Sequence, residues 1–297
     1  MKLIKPSFEI YEQGPGLEGI YEAIERAGRT CYKSKRPEGQ TAKDFVDRMI
    51  ASQHYAMLEH GTVYLKIPYD YYKEDSAPEE IIDFYRNNPY STIIEPIILD
   101  NGYPAQGGYQ MYYITTNYRV LVENLRVSDL QYLCEPTEFH EKRVTVRFTT
   151  DRGVSHEFVR HRVFSFAQES TRYCNYSKDK FGNELTFIVP SWSNMNEEHL
   201  KSGVKSPSLA EGVMLRLFMH AENDYLYMLE QCLTPQQARQ VLPNALKTEL
   251  VMTGFVSDWR HFFDLRALGT TGAPHPDAKA LAEPLMQEFI KRNLITQ

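Results

Sequence analysis

The chain has 297 residues, 42% hydrophobic and 12% aromatic, with a formal net charge of -6, an ordinary globular composition with ample material for a core. The acidic balance without a long basic tract argues against nucleic acid as the main partner, and no stretch approaches the roughly twenty apolar residues that span a bilayer. Met1–Pro6 lacks the apolar core of a signal peptide, so a cytoplasmic protein is expected. The four cysteines, Cys31, Cys134, Cys174 and Cys232, are widely spaced with no Cys-x-x-Cys pair, which indicates neither a zinc site nor a disulfide framework.

In chain order, residues 17–32 predict a helix with Leu17, Ile20, Ile24 and Ala27 on one face, and 41–51 predict a second with Phe45, Met49 and Ile50 apolar. Thr62–Ile67 alternates as a strand and stops at Pro68. Residues 68–141 are acidic and tyrosine-rich, with Pro78, Pro89, Pro96 and Pro104; within them the pattern predicts a helix at 78–86, a strand at 109–116 and a helix opening at Asn117-Tyr118-Arg119. Strands 62–67 and 142–149 are expected to be hairpin partners whose connection has lengthened, since long surface insertions cost little closure entropy. After a turn at Asp151-Arg152-Gly153, residues 154–162 predict a short helix. Ser206-Pro207 caps a long helix reaching about residue 232, Thr234-Pro235 opens another, and 250–253 form a strand. Ser257 caps a helix carrying Trp259, Phe262 and Phe263, and Pro276 begins a terminal amphipathic helix. There is no internal repeat.

The segment Arg160–Tyr173 concentrates three arginines, a histidine and several hydroxyls, interleaved with Val163, Phe164 and Phe166. In an acidic chain this local excess of positive charge points to an anion, either phosphate or a developing anionic heterocycle, held against a partly buried wall. Ser170 has no adjacent base that would make it a nucleophile, and a hydrogen-bond role suits it better. Glu59-His60 has no third ligand at metal-binding spacing and reads as a hydrogen-bonded structural pair.

Arg160-His161-Arg162, seven residues, then Ser170, with Arg172 and Tyr173 following, resembles the signature of flavin-dependent thymidylate synthases. Further pieces stand in the family's order: Arg29-Thr30-Cys31-Tyr32, His54 with Glu59-His60, Ala238–Pro243, and Phe262-Phe263-Asp264-Leu265-Arg266. The resemblance runs from about residue 20 to about residue 290, interrupted over 68–141. It implies one α+β domain over 1–297, with that atypical insertion, a mainly antiparallel sheet flanked by long helices, and a homotetramer with active sites shared between subunits. It also implies reductive methylation of dUMP to dTMP, with methylenetetrahydrofolate as carbon donor and NADPH-reduced FAD as hydride source.

Carried over by position, the resemblance assigns Glu157, Arg160, Gln168, Ser170, Thr171, Arg172, Arg239 and Arg266 to dUMP, and His54, Arg160, His161, Arg162, Gln168 and His261 to FAD. No metal is implied. Arg266 would be catalytic, because a fixed cation beside the uracil imide favours the ring anion. Read singly, Arg239 suits a helix-end cation, Arg266 a surface arginine and His54 a structural histidine.

The chain departs from the pattern at several places. Glu157 stands where many members have Gln and Gln168 where many have Glu, Ala56 replaces a hydroxyl, and Phe255, Ser257 and His261 replace polar flavin contacts. The adenine end of FAD is therefore expected to be held differently, and His275 matches a late family histidine only across a short insertion. Two other readings compete. One is a pyrimidine methylase using Cys174 as nucleophile, its thiol pKa lowered by Arg172. The other is a non-enzymatic nucleotide- or RNA-binding module using the cations and aromatics of 160–173.

Overall fold

A computed structural model describes residues 1–70, 79–95, 109–201 and 204–296. Chain order is β1 (Lys2–Ile4), β2 (Ser7–Tyr11), α1 (Gly16–Tyr32), α2 (Ala42–Ala51), β3 (Thr62–Asp70), α3 (Glu79–Asn87), β4 (Thr92–Ile94), β5 (Tyr109–Asn117) and α4 (Tyr118–Glu123). It continues with β6 (Arg143–Asp151), α5 (Arg152–Phe158), β7 (Ser165–Gln168), β8 (Thr186–Ile188), α6 (Leu209–Glu230), α7 (Pro235–Ala238), β9 (Lys247–Phe255), α8 (Val256–Phe263) and α9 (Pro276–Lys291). The fold is α+β, with a four-stranded antiparallel sheet in the order β2-β6-β9-β7 and a three-stranded antiparallel sheet β3-β5-β4. The short strands β1 and β8 pair in parallel.

The four-stranded sheet is covered on both faces. Strand β6 alternates along its length, and Val144, Val146 and Phe148 join Leu250 and Met252 of β9 in a core sealed by α5, α8 and α9. On the opposite face Val251 and Ala167 meet Ala27 of α1. A central strand covered on both sides needs apolar residues in succession, and residues 248–254 of β9 are all buried. Gly254 has a steric role: a Cβ there would lie 2.5 Å from the ring of Phe164, which packs edge-on to Trp259 at 4.7 Å. The turn carrying Arg160–Arg162 is thereby pinned to the sheet.

The expected hairpin between strands 62–67 and 142–149 does not form. Strand β3 pairs with β5, while β6 pairs with β2 and β9. Alternation specifies which face a strand buries and leaves its neighbour open, and the stretch between β3 and β6 supplies β3 with a partner of its own. The helix expected at 78–86 forms as α3, with residue 78 outside the described residues, as are Pro96 and Pro104. The strand expected at 109–116 and the helix after Asn117 form as β5 and α4, and the Asn117 side chain accepts from Val120 N.

Other boundaries shift for local reasons. The helix expected over 154–162 is α5, which starts at Arg152 under an Asp151 cap and ends at Phe158, so Arg160–Arg162 lie in the turn beyond it. Ser208, not Ser206, caps α6, because its hydroxyl accepts from Glu211 N. Ser257 lies inside the first turn of α8, where Asp258 accepts from Phe255 N, and the Ser257 hydroxyl donates to Glu141. The helix expected after Thr234-Pro235 is only the short α7.

Candidate functional site

The residues singled out from sequence separate into two groups. One lies at the α5–α8 side of β7. There Arg266 sits on a π-helical turn, Asp264–Leu268, at the end of α8. Trp259, Phe262 and Phe263 bury one side of α8, with Trp259 Nε1 donating to the Val144 carbonyl, and this fixes where the chain emerges. Such wider turns recur where a helix must re-aim a functional side chain. The Arg266 guanidinium donates to Glu157 Oε2 at 2.8 Å, to the Glu157 carbonyl at 2.8 Å and to His161 Nε2 at 3.0 Å.

His161 is 7% exposed. Burial lowers its pKa to about 4, with the nearby Arg266 cation and His261 adding to the effect. A neutral imidazole accepting from Arg266 at Nε2 carries its proton on Nδ1. His261 is exposed, its ring 6.2 Å from that of His161. Gln168 points to the same side, donating from Nε2 to Ser155 Oγ at 2.9 Å and Thr248 Oγ1 at 3.2 Å. Arg160 and Arg162 are exposed and have no acidic partner among the described residues.

The second group lies where β7 runs into a turn against the end of α1. Ser170 N donates to the Cys31 carbonyl at 3.0 Å, and the Ser170 hydroxyl accepts from Arg172 N at 3.3 Å. Arg172 donates from Nε to Gln236 Oε1 at 3.0 Å, and Arg239 reaches Thr171 Oγ1 at 3.5 Å. Tyr32 and Tyr173 stack in tilted fashion at 5.1 Å. Beside them a cavity of about 380 Å³ is lined by Gly28, Cys31, Tyr32, Phe45, His54 and Ala56 among others, with His54 exposed at its edge. Arg29 of the early motif braces this wall, donating to Glu25 Oε1 at 2.7 Å and to the Lys35 carbonyl at 2.8 Å.

Sequence reasoning missed a buried charge pair under this turn. Glu169, 2% exposed, accepts from Lys247 Nζ at 2.6 Å and from the Tyr176 hydroxyl at 3.1 Å. No local signal marks a pair separated by 78 positions. Gln236 was also missed, since only the fold brings α7 to Arg172. Glu59 and His60, expected to pair with each other, have separate partners. Glu59 accepts from Arg119, and His60 Nδ1 lies 2.8 Å from Thr253 Oγ1. Among the described residues no cluster of three or more His, Cys, Asp or Glu could hold a metal.

Cys174 does not suit a nucleophile. It is fully buried, and burial together with the Glu169 carboxylate pushes its thiol up to about 11. The lowering by Arg172 expected from sequence is absent, because Arg172 turns outward to Gln236 and Tyr173.

A flavin needs an apolar slot for its ring system and cations for its diphosphate. The Gly28–Ala56 cavity, with its aromatic and methionine wall, fits the first need; Arg160 and Arg162, without an acidic partner among the described residues, fit the second, from the other group of residues. Phe255, Ser257 and His261 offer little to an adenine; Ser257 is held by Glu141 and Phe255 stacks under Arg143.

The fold is that of an α+β protein whose motif arginines cluster on both sides of β7. Residues 135–292 match the family described as Thymidylate synthase complementing protein, just over half of the chain, and the chain belongs to that family. A probable flavin-dependent thymidylate synthase of Paramecium bursaria Chlorella virus 1 is 27% identical over 154 residues, covering 51% of this chain and 69% of the viral protein. The flavin-dependent thymidylate synthase of Pyrococcus abyssi is 30% identical over 141 residues, covering 48% of this chain and 51% of that protein. With most of the curated relatives it matches, the chain aligns over only about half of their length. A UMP/dUMP methylase structure from Streptomyces cacaoi superposes over 98% of this chain and 93% of its own, with 14% identity and a TM-score of 0.43, too slight a likeness to bear on function.

Proposed function

We propose that this protein is a flavin-dependent thymidylate synthase, converting dUMP to dTMP with methylenetetrahydrofolate as carbon donor and NADPH as reductant of bound FAD. The observation that carries this reading is the family match over 135–292, which contains the Arg160–Tyr173 motif and Arg266. When bound, FAD supplies the hydride that completes the methyl group.

In this reading Arg172, Ser170 and Arg239 hold the phosphate dianion, Arg172 and Arg239 carrying the charge and Ser170 donating a hydroxyl hydrogen. Thr171 positions Arg239, and Gln236 positions Arg172. Arg266, fixed by Glu157 and neutral His161, faces the uracil and stabilises negative charge that develops on the imide, raising the nucleophilicity of the ring carbon. Gln168 orients the nucleotide from the side of Ser155. Arg160 is shared between nucleotide and flavin, with Arg162, His54 and His261 on the flavin; His161 serves the flavin through the turn that it stabilises. The two groups of residues complete each other in a cytoplasmic homotetramer whose sites draw on neighbouring subunits, with 68–141 as a lengthened insertion of one domain.

The test is direct. Purified protein reconstituted with FAD should be yellow, be bleached by NADPH, and form dTMP from dUMP and methylenetetrahydrofolate. Failure to bind flavin, or flavin binding without dTMP formation, overturns the proposal.

A further inference from the structure

A second cavity, about 360 Å³, opens where β2 leaves the four-stranded sheet. Strand β2 pairs with β6 only as far as Tyr11 opposite Thr145, whereas β6 begins at Arg143. The chain after Tyr11 turns away, and Gln13 forms a two-way bond with the Thr62 backbone, at 2.8 Å in each direction. Lys142 and Arg143 are left facing the opening, with Tyr11 opposite.

The charges around this cavity do not balance. Glu12 and Glu135 line it, but Glu12 pairs with Arg292, and Glu135 Oε1 accepts from Gly16 N at 3.0 Å at the start of α1. Arg143 has only neutral partners: Nη1 donates to the Glu59 carbonyl at 3.1 Å and to Thr62 Oγ1 at 3.4 Å, and its buried Nε has none. Among the described residues neither Arg143 nor Lys142 has a carboxylate within ion-pair distance. Burial lowers the Arg143 pKa to about 10, and the charges of Tyr64, Glu59 and Asp258 offset it only in part. A partly buried guanidinium with an unpartnered Nε and no carboxylate in direct contact is costly, and the cavity beside it gives room for one.

We infer that this cavity binds a small organic oxyanion, with the Arg143 guanidinium and Lys142 ammonium as its counter-charges and Tyr11 packing against its body. The volume suits a compact molecule of metabolite size. A fork of guanidinium N–H groups suits a carboxylate or a phosphate monoester, and an ammonium adds charge without geometry. The inference is independent of the proposed reaction, since none of its residues belongs to the site described above.

Calorimetric titration of the full chain in an Arg172→Ala background, which weakens the other phosphate site, tests it with two probes, succinate and inorganic phosphate. At least one should bind saturably with a Kd below roughly ten millimolar, and which one binds tighter distinguishes carboxylate from phosphate. Arg143→Lys should weaken that binding at least about tenfold, because the charge stays and the fork is lost. Lys142→Ser, at an exposed position that leaves folding intact, should weaken it in the same direction. Absence of saturable binding by both probes, or affinities unchanged in both variants, overturns the inference.

Discussion

Arg266→Ala should change two observables together, the titration of His161 and the rate of the chemical step. The guanidinium makes three hydrogen bonds, two to Glu157 and one to His161. Bonds to charged groups contribute about 1.5 to 3 kcal/mol each when their partners are left dry. The Glu157 side chain is 32% exposed and rehydrates when Arg266 is removed, so the expected loss of stability is about 2 kcal/mol, not the sum. His161 should then titrate above its present value of about 4, yet below 6.5, because burial, the larger cause, remains. If Arg266 stabilises the uracil anion, turnover at saturating dUMP should fall about 100- to 1000-fold with FAD still bound, the loss typical of removing one donor from a developing anion. Arg266→Lys should restore little of it. The assay is an NMR pH titration of the histidine ring signals, paired with single-turnover flavin oxidation. His161 still titrating near 4 in the alanine variant, with undiminished turnover, would refute the argument and leave Arg266 as a helix-end cation.

Arg172→Ala should weaken dUMP binding by about 2 to 3 kcal/mol with much less effect on turnover at saturation, as calorimetry and steady-state kinetics would show; the reverse split would move Arg172 from binding to activation. Cys174→Ser should keep dTMP formation within about tenfold, and complete loss in a folded variant would restore the cysteine mechanism. His60 and His161 are held to about 3 and about 4 in the folded chain, so the unfolded chain binds the extra protons. Their stabilisation is full above pH 6.5 and is lost as pH falls through 6.5 toward those values, by up to about 1.4 kcal/mol per pH unit for each group; urea unfolding at pH 7 and pH 5 measures it, and equal or greater stability at pH 5 contradicts it. Gly254→Ala forces a methyl against Phe164 and should cost about 1 to 3 kcal/mol in melting experiments, displacing the Arg160–Arg162 turn; an unchanged melting temperature would show that Phe164 does not pin that turn.

Much of the helical framework is legible in the sequence because caps and periodicity are local. Thr41 with Asp44 closes a capping box on α2, and Pro276 opens α9 where the pattern places it. Strand pairing is not local. Thr62–Ile67 and residues 142–149 both alternate, yet each found a different neighbour, and the four-residue β7 is too short to carry a period. The site shows the same division. Arg160–Tyr173 reads as an anion-binding motif because its residue types are adjacent, whereas the partners that orient it, Gln236 for Arg172 and Lys247 for Glu169, come from distant segments.

The exchange of acid and amide between positions 157 and 168 gains a physical meaning from the fold. Both side chains lie on the α5 side of β7, but their neighbours differ. Glu157 meets a guanidinium, while Gln168 meets two hydroxyls, Ser155 and Thr248. A carboxylate at 168 would be solvated by those hydroxyls and remain a free negative charge; at 157 it is matched by Arg266 and fixes the direction of its fork. The negative charge thus stands beside the one cation assigned to the uracil, where it steadies the geometry and also tempers the field. His161 stays neutral and accepts a hydrogen bond from Arg266, so it fixes the guanidinium without changing the charge of the pair. Under the proposed function, the balance among these three side chains, set by α5, the turn after it and the π-helical end of α8, decides how strongly Arg266 can stabilise an anion.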